Sequence, residues 1–438
     1  MAEKKTKYKT ERLKSWGKAK ELREKYYRDY ATAHEKGGLR CVCGAWSFDA
    51  IPMGLGDDVY FLTGEPYGAS IGNSPEFSVE CMEACEAKGF ARDLCAYMRN
   101  EWGGILLDKY LFGGPWPKAD FSFQDHICCS HAKWDQVQSE LEGGLPFFCV
   151  DVSVGPHAEL DEGRLMYVVN QMLDGVEWLE KVTGRKYDDE KLIQAVYNDC
   201  RSTALWAEIC TLNKAIPAPL DEKSMFSLYV LGTLNRSSKE IADFYEELRD
   251  EVKYRVDNQI AAVGNERLRI MTDSQPPWAA LNLFRYLEKF GVVSIGALYS
   301  MALEGIWEDQ PDGSWGPAKT PQEKGIVIKD REQALRILAD WELRRPMWEP
   351  FYGSDLGGNL VVRIAKEWHV DGMLMHLNLG CEGTTIGNME RRLALLKAGI
   401  PVMTYEGNMA DDRQYDEVGT IKRADIWMTS FGLEKLED

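Results

Sequence analysis

Two rhythms of apolar residues alternate along the 438-residue chain. Short continuous apolar runs bounded by glycine and polar turns, LRCVCGAW, DVYFLT, ADFSFQDHICC and LPFFCVDV, are separated by stretches whose apolar positions recur three and four residues apart. Continuous runs suit strands buried on both faces, and the wider spacing marks helices with one apolar side. Their alternation from Arg40 to about Val154 predicts a parallel sheet wrapped by helices, one around Asp93 to Glu101 and another beginning near Ala132. From about Ala158 to Arg255 the strand-like runs stop, and GRLMYVVNQMLDGVEWLEKV and DEKLIQAVYNDCRSTALWAEICTL carry helical spacing until AIPAPL interrupts it. Beyond that point RLRIMTDS, GVVSIGALY, DGMLMHLNLG and GIPVMTYEG read as buried strands, separated by helices such as PPWAALNLFRYLEKF and NMERRLALLKA.

The length exceeds what one core usually serves, so several domains are expected. The fold class is α/β, with two Rossmann-like parallel-sheet domains and a helical segment between them. The boundaries fall at 1–39 for an N-terminal helical extension, 40–157 for the first α/β domain, 158–262 for the helical segment and 263–438 for the second α/β domain. Within the extension, Ser15 to Glu35 forms a charged amphipathic helix suited to packing on a domain or a partner.

Charge narrows the partners. Lys and Arg number 52 against 70 Asp and Glu, a net charge of −18, which argues against nucleic acid and anionic membrane because both are bound through basic patches. The basic start MAEKKTKYKTERLK has no apolar segment behind it, so no signal peptide or membrane anchor is expected and the location reads as cytoplasmic. In that compartment eleven cysteines are free thiols rather than a disulfide framework.

Some of these thiols are core residues and others are candidate ligands. Cys149 sits on an expected buried strand, Cys200 and Cys210 on a helix, and all three read as small core hydrophobes. Cys41 and Cys43 stand too close together for two ligands of one tetrahedral site unless the strand bends. Cys81 and Cys85 share a helix face and are second-choice ligands, although no second pair follows at zinc-site spacing. Cys128 and Cys381 differ from these: each follows an apparent strand and precedes a helix, the place where open parallel sheets bind ligands. Helix N–H groups at such a position lower a thiol's pKa and favour an anionic centre. Cys95 lies beside a helix in ARDLCAYMRNEWGG, and its place at the same site is less direct. Three thiolates gathered from distant loops can hold an iron–sulfur cluster that keeps one iron open to substrate.

Missing motifs matter as well. No G-x-x-x-x-G-K-[ST] loop occurs, so ATP hydrolysis belongs to another polypeptide; no G-x-G-x-x-G follows a strand, which disfavours a nicotinamide cofactor. A compact C-x-x-C-x-x-C run is absent too, consistent with one isolated cluster fed by a partner.

The ordered set DLCAYMRNEWG, ICCSHAKW, LPFFCVDV, VTGRKYDDEKL, AIPAPL and GCEG followed by GIPVMTYEGNMADDR resembles the benzoyl-CoA reductase and 2-hydroxyacyl-CoA dehydratase superfamily, from about Arg40 to Arg423. Within it the chain is most similar to the second subunit of the ATP-dependent benzoyl-CoA reductases, although dehydratase subunits share the layout. The resemblance implies a [4Fe-4S] cluster held by Cys95, Cys128 and Cys381. It further implies a homologous second subunit forming the active site, a separate iron–sulfur ATPase as electron donor with a ferredoxin upstream, and reduction of the benzoyl-CoA ring to a cyclic dienoyl-CoA. The alternatives are a dehydratase subunit working on a 2-hydroxyacyl-CoA through a ketyl radical, or a non-catalytic partner subunit. Cys128 and Cys129 are adjacent where the family usually has one cysteine; Cys128 places Trp134 at the usual distance, and Cys129 remains open.

Proton donors are sought next to these thiols. His126 and His131 bracket Cys128, and either is a candidate donor or a residue that bonds a cluster sulfide or caps the helix. His376 reads as core, and His34 and His157 as surface or turn residues. Glu382 either approaches the open iron or caps a helix, and Glu406 and Asp412 either orient substrate or are solvated charges. Trp102, Trp116 and Trp134 are candidate walls of the site, and GDDVYFLTGEPYGASIGN a loop approaching it or a plain connection.

Overall fold

The computed structural model describes residues 7–45, 48–152, 160–273, 275–348 and 353–436. His157 lies outside the described residues. The first apolar runs form four parallel strands, β1 (Leu39–Cys43), β2 (Val59–Thr63), β3 (Phe121–His126) and β4 (Phe147–Asp151), ordered β2-β1-β3-β4. A second parallel sheet contains β5 (Leu268–Thr272), β6 (Val292–Ala297), β7 (Gly372–Asn378) and β8 (Val402–Gly407), ordered β8-β7-β5-β6. Strands β5 and β6 are buried at every position, as expected where helices cover both faces. The α/β class with two parallel sheets is therefore the observed one.

Each sheet reverses its winding once. From β1 the chain adds β2 on one side and β3 on the other; from β5 it adds β6 on one side and β7 on the other. Reversal separates the two following loops at the carboxyl ends of adjacent strands, and the crevice between them is where such sheets take ligands.

Four long helices connect the sheets: α6 (Glu162–Thr183), α7 (Asp189–Leu212), α8 (Glu222–Asn235) and α9 (Lys239–Asp257), counting from the helices α1–α5 described below. Each begins where Asp161, Asp188, Asp221 or Ser238 accepts a backbone N–H of its own first turn, satisfying a donor the helix leaves open. Helix α1 (Trp16–Ala31) buries Ala19, Leu22, Tyr27 and Tyr30, with the Tyr26 hydroxyl 2.9 Å from that of Thr63 at the end of β2. The N-terminal extension thus packs on its own chain.

Three details depart from the sequence pattern. Lys9–Thr10 pairs in parallel with Ile260–Ala261, and Trp307–Asp309 pairs antiparallel with Trp315–Pro317; strands this short leave no periodic trace. Cys149 is only partly buried because β4 is an edge strand, with Phe147 exposed. Among the described residues, no helix is long and apolar enough to cross a membrane.

His376 belongs to the core of the second sheet, with its ring stacked on Tyr405 at 4.8 Å. Burial holds its pKa down at about 3, against 6.5 in the unfolded chain. The unfolded state therefore takes up the proton first, and stability falls as pH drops from 6.5 towards 3, by about 1.4 kcal/mol per pH unit. His376→Phe keeps the stack and removes the titration. Urea unfolding at pH 7 and pH 5 should show the variant losing about 2 kcal/mol less than wild type across that interval; equal losses would reject a neutral buried imidazole.

Candidate functional site

The three separated cysteines each start a helix. Cys95 caps α4 (Ala96–Leu106), Cys128 follows β3 and caps α5 (Cys129–Leu141), and Cys381 follows β7 and precedes the short turn Glu382–Thr385. Cys128 and Cys381 therefore lie at the winding reversals of the two sheets. All three line one cavity of about 70 Å³ together with Tyr97, Trp134 and Tyr299. That space is several times the roughly 10–15 Å³ a single water requires.

Close approach of α4 depends on glycines. Helices α2 (Gly64–Gly72) and α3 (Pro75–Lys88) flank it, and a Cβ on Gly68 would lie 2.4 Å from the Tyr97 carbonyl oxygen, while one on Gly103 would lie 2.4 Å from Cys81 Cα. Asn100 Nδ2 donates to the Gly68 carbonyl at 3.0 Å. No side chain larger than hydrogen fits at either crossing.

The thiols are mutually close enough to disfavour one another's ionisation. Burial pushes Cys95 up to about 12, with further contributions from Cys381 and Cys128, against the N–H groups of Met98 and Tyr97. Burial also raises Cys128, and His131 and its N–H pull the other way. Helix N–H groups thus act in the direction expected from the sequence, but desolvation exceeds them. No group of three or more His, Cys, Asp or Glu among the described residues converges on a single metal ion. Three thiols around a shared cavity, spaced too widely for one ion, fit a polynuclear centre in which each thiolate meets a different iron.

His131 stands on the cavity wall, nearly fully buried, its ring edge-on to Trp134 at 5.8 Å. Its Nε2 meets the Glu65 carboxylate, and its Nδ1 lies 3.3 Å from the Asp125 carbonyl oxygen and 3.7 Å from the Asp125 carboxylate. Acceptors at both ring nitrogens suit the doubly protonated imidazolium. Burial opposes that charge, but Glu65, Asp125 and Cys128 outweigh it and lift His131 well above the ordinary histidine value. Glu65 also accepts the Ala45 N–H at 2.7 Å, and burial raises Asp125.

A second set of contacts fixes the Cys381 loop. Gln275, just after β5, donates through Nε2 to Cys381 Sγ at 2.7 Å and accepts from Asn378 at 2.9 Å and Thr384 at 2.7 Å. Asn378 accepts the Gly380 and Met409 N–H groups at 3.0 and 3.3 Å. Loops from β5, β7 and β8 are thereby tied around one thiol.

The remaining candidates divide clearly. Cys129 is exposed and does not line the cavity. His126 is at the end of β3, partly exposed, 3.4 Å from Asp151 and off the cavity. Cys81 and Cys85 are buried in α3, with Cys85 donating to the Arg99 carbonyl. Cys41 and Cys43 pack 3.6 Å apart within β1, and Cys200 and Cys210 are core. Trp134 lines the cavity; Trp102 packs on Phe90 nearby, and Trp116 packs on Tyr67. Glu406 and Asp412 do not reach the cavity, His34 pairs with Asp120 at the surface, and the Glu382 side chain lies outside the described atoms. GDDVYFLTGEPYGASIGN is β2 followed by α2, and it supplies Glu65.

Site and sheets together define an α/β protein with a cysteine-lined crevice at two winding reversals. The chain matches the family model described as 2-hydroxyglutaryl-CoA dehydratase, D-component, over residues 47–423, and it belongs to that family. It is 25% identical to the (R)-2-hydroxyisocaproyl-CoA dehydratase alpha subunit of Clostridioides difficile, over 84% of this chain and 85% of that one. The (R)-phenyllactyl-CoA dehydratase alpha subunit of Clostridium sporogenes is 23% identical over 76% of each chain, and the lactoyl-CoA dehydratase subunit alpha of Anaerotignum propionicum 24% identical over 89% of each. These relatives carry dehydratase names, not that of a benzoyl-CoA reductase.

Gly68→Ala tests the packing that positions Cys95. It should cost about 1–3 kcal/mol through overpacking against Tyr97, read as a lowered unfolding midpoint, and should speed alkylation of Cys95. Unchanged stability would show that the helices separate freely.

Proposed function

We propose that this chain is the cluster-holding subunit of a 2-hydroxyacyl-CoA dehydratase, working with a homologous second subunit and a separate ATP-hydrolysing iron–sulfur electron donor. The observation that carries the reading is the convergence of Cys95, Cys128 and Cys381 on the cavity whose wall holds the His131–Glu65 pair. Membership of the dehydratase family supports the substrate class. Ring reduction of benzoyl-CoA calls for the same thiols and is the alternative reading.

A bound [4Fe-4S] cluster supplies a low-potential electron and a Lewis-acidic iron for a leaving hydroxyl. Cys95, Cys128 and Cys381 would hold it, with Gln275 orienting Cys381. Loss of water from R–CH2–CH(OH)–CO–SCoA to the 2-enoyl thioester consumes no net electrons. Against burial, Glu65, Asp125 and Cys128 favour the protonated form of His131 at the cavity wall. Tyr97, Trp134, Tyr299 and Met409 exclude water around it.

The test is anaerobic purification with the partner subunit and donor. Cys95→Ala, Cys128→Ala and Cys381→Ala should each lower iron and sulfide content, whereas Cys129→Ala should not; unchanged iron in all three would remove the ligand assignment. Turnover of (R)-2-hydroxyisocaproyl-CoA should release the enoyl thioester without net electron uptake. Benzoyl-CoA consumption with two electrons per ring would replace dehydration by the reductase reading. His131→Gln should keep its iron and lose about 10²-fold or more in turnover, and wild-type activity should decline only as pH rises past the elevated histidine pKa. Activity equal to wild type would exclude the histidine from proton handling.

A further inference from the structure

The guanidinium of Arg99 is sealed inside the protein beside the first of the three thiols. Arg99 stands on the first turn of α4, is fully buried, and donates its backbone N–H to the Cys95 carbonyl at 3.0 Å. Its side chain folds back, and Nε donates to the Leu94 carbonyl at 3.1 Å, one peptide from Cys95. Both terminal nitrogens are buried without an acceptor in hydrogen-bond range, a condition shared by no other arginine among the described residues. They lie 3.8 Å from Glu86 on α3 and 3.6 Å from Asp411 in the loop after β8.

Those two carboxylates are bonded more closely to other cations. Arg413, in the turn Asp412–Gln414, holds Asp411 through Nε and Nη2 at 2.8 Å each and reaches Glu86 at 2.7 Å. Arg92 lies 3.3 Å from Glu86 as well. Burial opposes the charge of Asp411, but Arg413 and Arg99 hold it below the usual carboxylate value. Three guanidiniums thus share two carboxylates, in a chain of net charge −18. Burial pulls Arg99 down, whereas Asp411, Cys85, Cys95 and Glu86 support its charge; a guanidinium stays protonated under both influences.

A buried cation with unfilled donors is costly unless an anion faces it. Cys95, whose loop Arg99 braces, supplies one when it ligates iron as a thiolate, and reduction of a cluster adds a further negative charge at the same place. A fixed positive charge nearby stabilises the reduced form more than the oxidised one.

We propose that Arg99 sets the reduction potential of the cluster held by Cys95, Cys128 and Cys381, keeping the reduced form within reach of the electron donor, with Asp411 and Glu86 grading its charge. This assignment rests on the reading of the three thiols as cluster ligands. Arg99 acts through its field at the cluster and touches no substrate, so its part is the placing of charge. A plain brace between α4 and the loop after β8 is the competing account, and it predicts no opposition of sign between the arginine and its carboxylates.

Redox titration of the anaerobic complex with its partner subunit tests it, read by electron paramagnetic resonance on the signal that Cys95→Ala removes. Arg99→Gln should lower the midpoint so that the reduced-to-oxidised ratio at a fixed potential falls about tenfold, or about 59 mV for a one-electron couple. Arg99→Lys should keep most of the wild-type midpoint. Asp411→Asn and Glu86→Gln should shift it upward, because each removes a negative charge from the same network. A wild-type midpoint in iron-loaded Arg99→Gln, a fall in Arg99→Lys as deep as in Arg99→Gln, or shifts of one sign in all variants overturns the assignment. If Arg99→Gln loses its iron, the carboxylate variants decide: upward shifts in both support the assignment, and midpoints at or below wild type overturn it. A wild-type complex without iron overturns the cluster reading and this assignment together; an iron-loaded complex whose midpoint ignores these residues overturns this assignment alone.

Discussion

Arg236 is the buried cation on which both sheets and the helical segment converge. It follows α8, donates through Nη2 to the Ala45 carbonyl beyond β1, and lies 3.8 Å from Glu304 and 3.7 Å from Glu342. Arg345 pairs with Glu342 at 2.6 Å, and Ser237 bridges Asp49 and Asp199 at 3.0 and 3.1 Å. Four acids surround two guanidiniums, and protons make up the difference. Burial pushes Asp49 up to about 6 and Glu304 up to about 7 and raises Asp199, while Glu342, despite burial, is held down by Arg345 and Arg236. Removing one partner from such a set typically costs about 3–5 kcal/mol, because the charge left behind has no water. Ala45, whose carbonyl accepts from Arg236, donates its own N–H to Glu65, which meets His131. The orientation of the cavity wall is therefore tied to the junction that holds the sheets together.

That junction explains how thiols so distant in sequence meet. Each sheet supplies a crevice at its winding reversal, but a crevice alone fixes only one partner. With the two sheets locked, the loop after β3 and the loop after β7 close on one volume, and α4 is pressed into it through Gly68 and Gly103. The arrangement is unfavourable for ionised thiols on their own: burial raises Cys95 and Cys128, and the neighbouring thiols add to it. An iron centre held by Cys95, Cys128 and Cys381 would reverse that sign, since metal binding favours thiolates and releases their protons.

The strands and the cysteine positions were legible because they follow from periodicity and from strand-to-helix order. All eight strands of the two four-stranded sheets fall within the apolar runs, and Cys128 and Cys381 sit where the order places them. Glu65 was not singled out, although it occupies the same kind of position in the first turn after β2. A lone carboxylate in GEPYG has no partner in sequence; its partner His131 comes from the first turn of α5, after another strand. Gln275 escaped notice for the same reason, since an amide gains meaning only when a thiol from β7 lies 2.7 Å away. Between His126 and His131, sequence proximity to Cys128 could not discriminate. Helix direction does so, turning His131 inward and leaving His126 beside Asp151.

The proton inventory of the cavity bears on the choice between water loss and ring reduction. Among the described residues, His131 and Glu65 are the only histidine and carboxylate that line it. Dehydration moves one proton off carbon and returns one to the departing hydroxyl, so a single pair that both accepts and donates completes the cycle without exchange with solvent. Ring reduction consumes two protons with two electrons and must draw each replacement through the wall. Here the wall includes buried Trp134, Tyr97 and Tyr299, and the partly exposed His126 pairs with Asp151 instead of the cavity. A single adjacent pair on the wall suits a reaction that balances its protons internally.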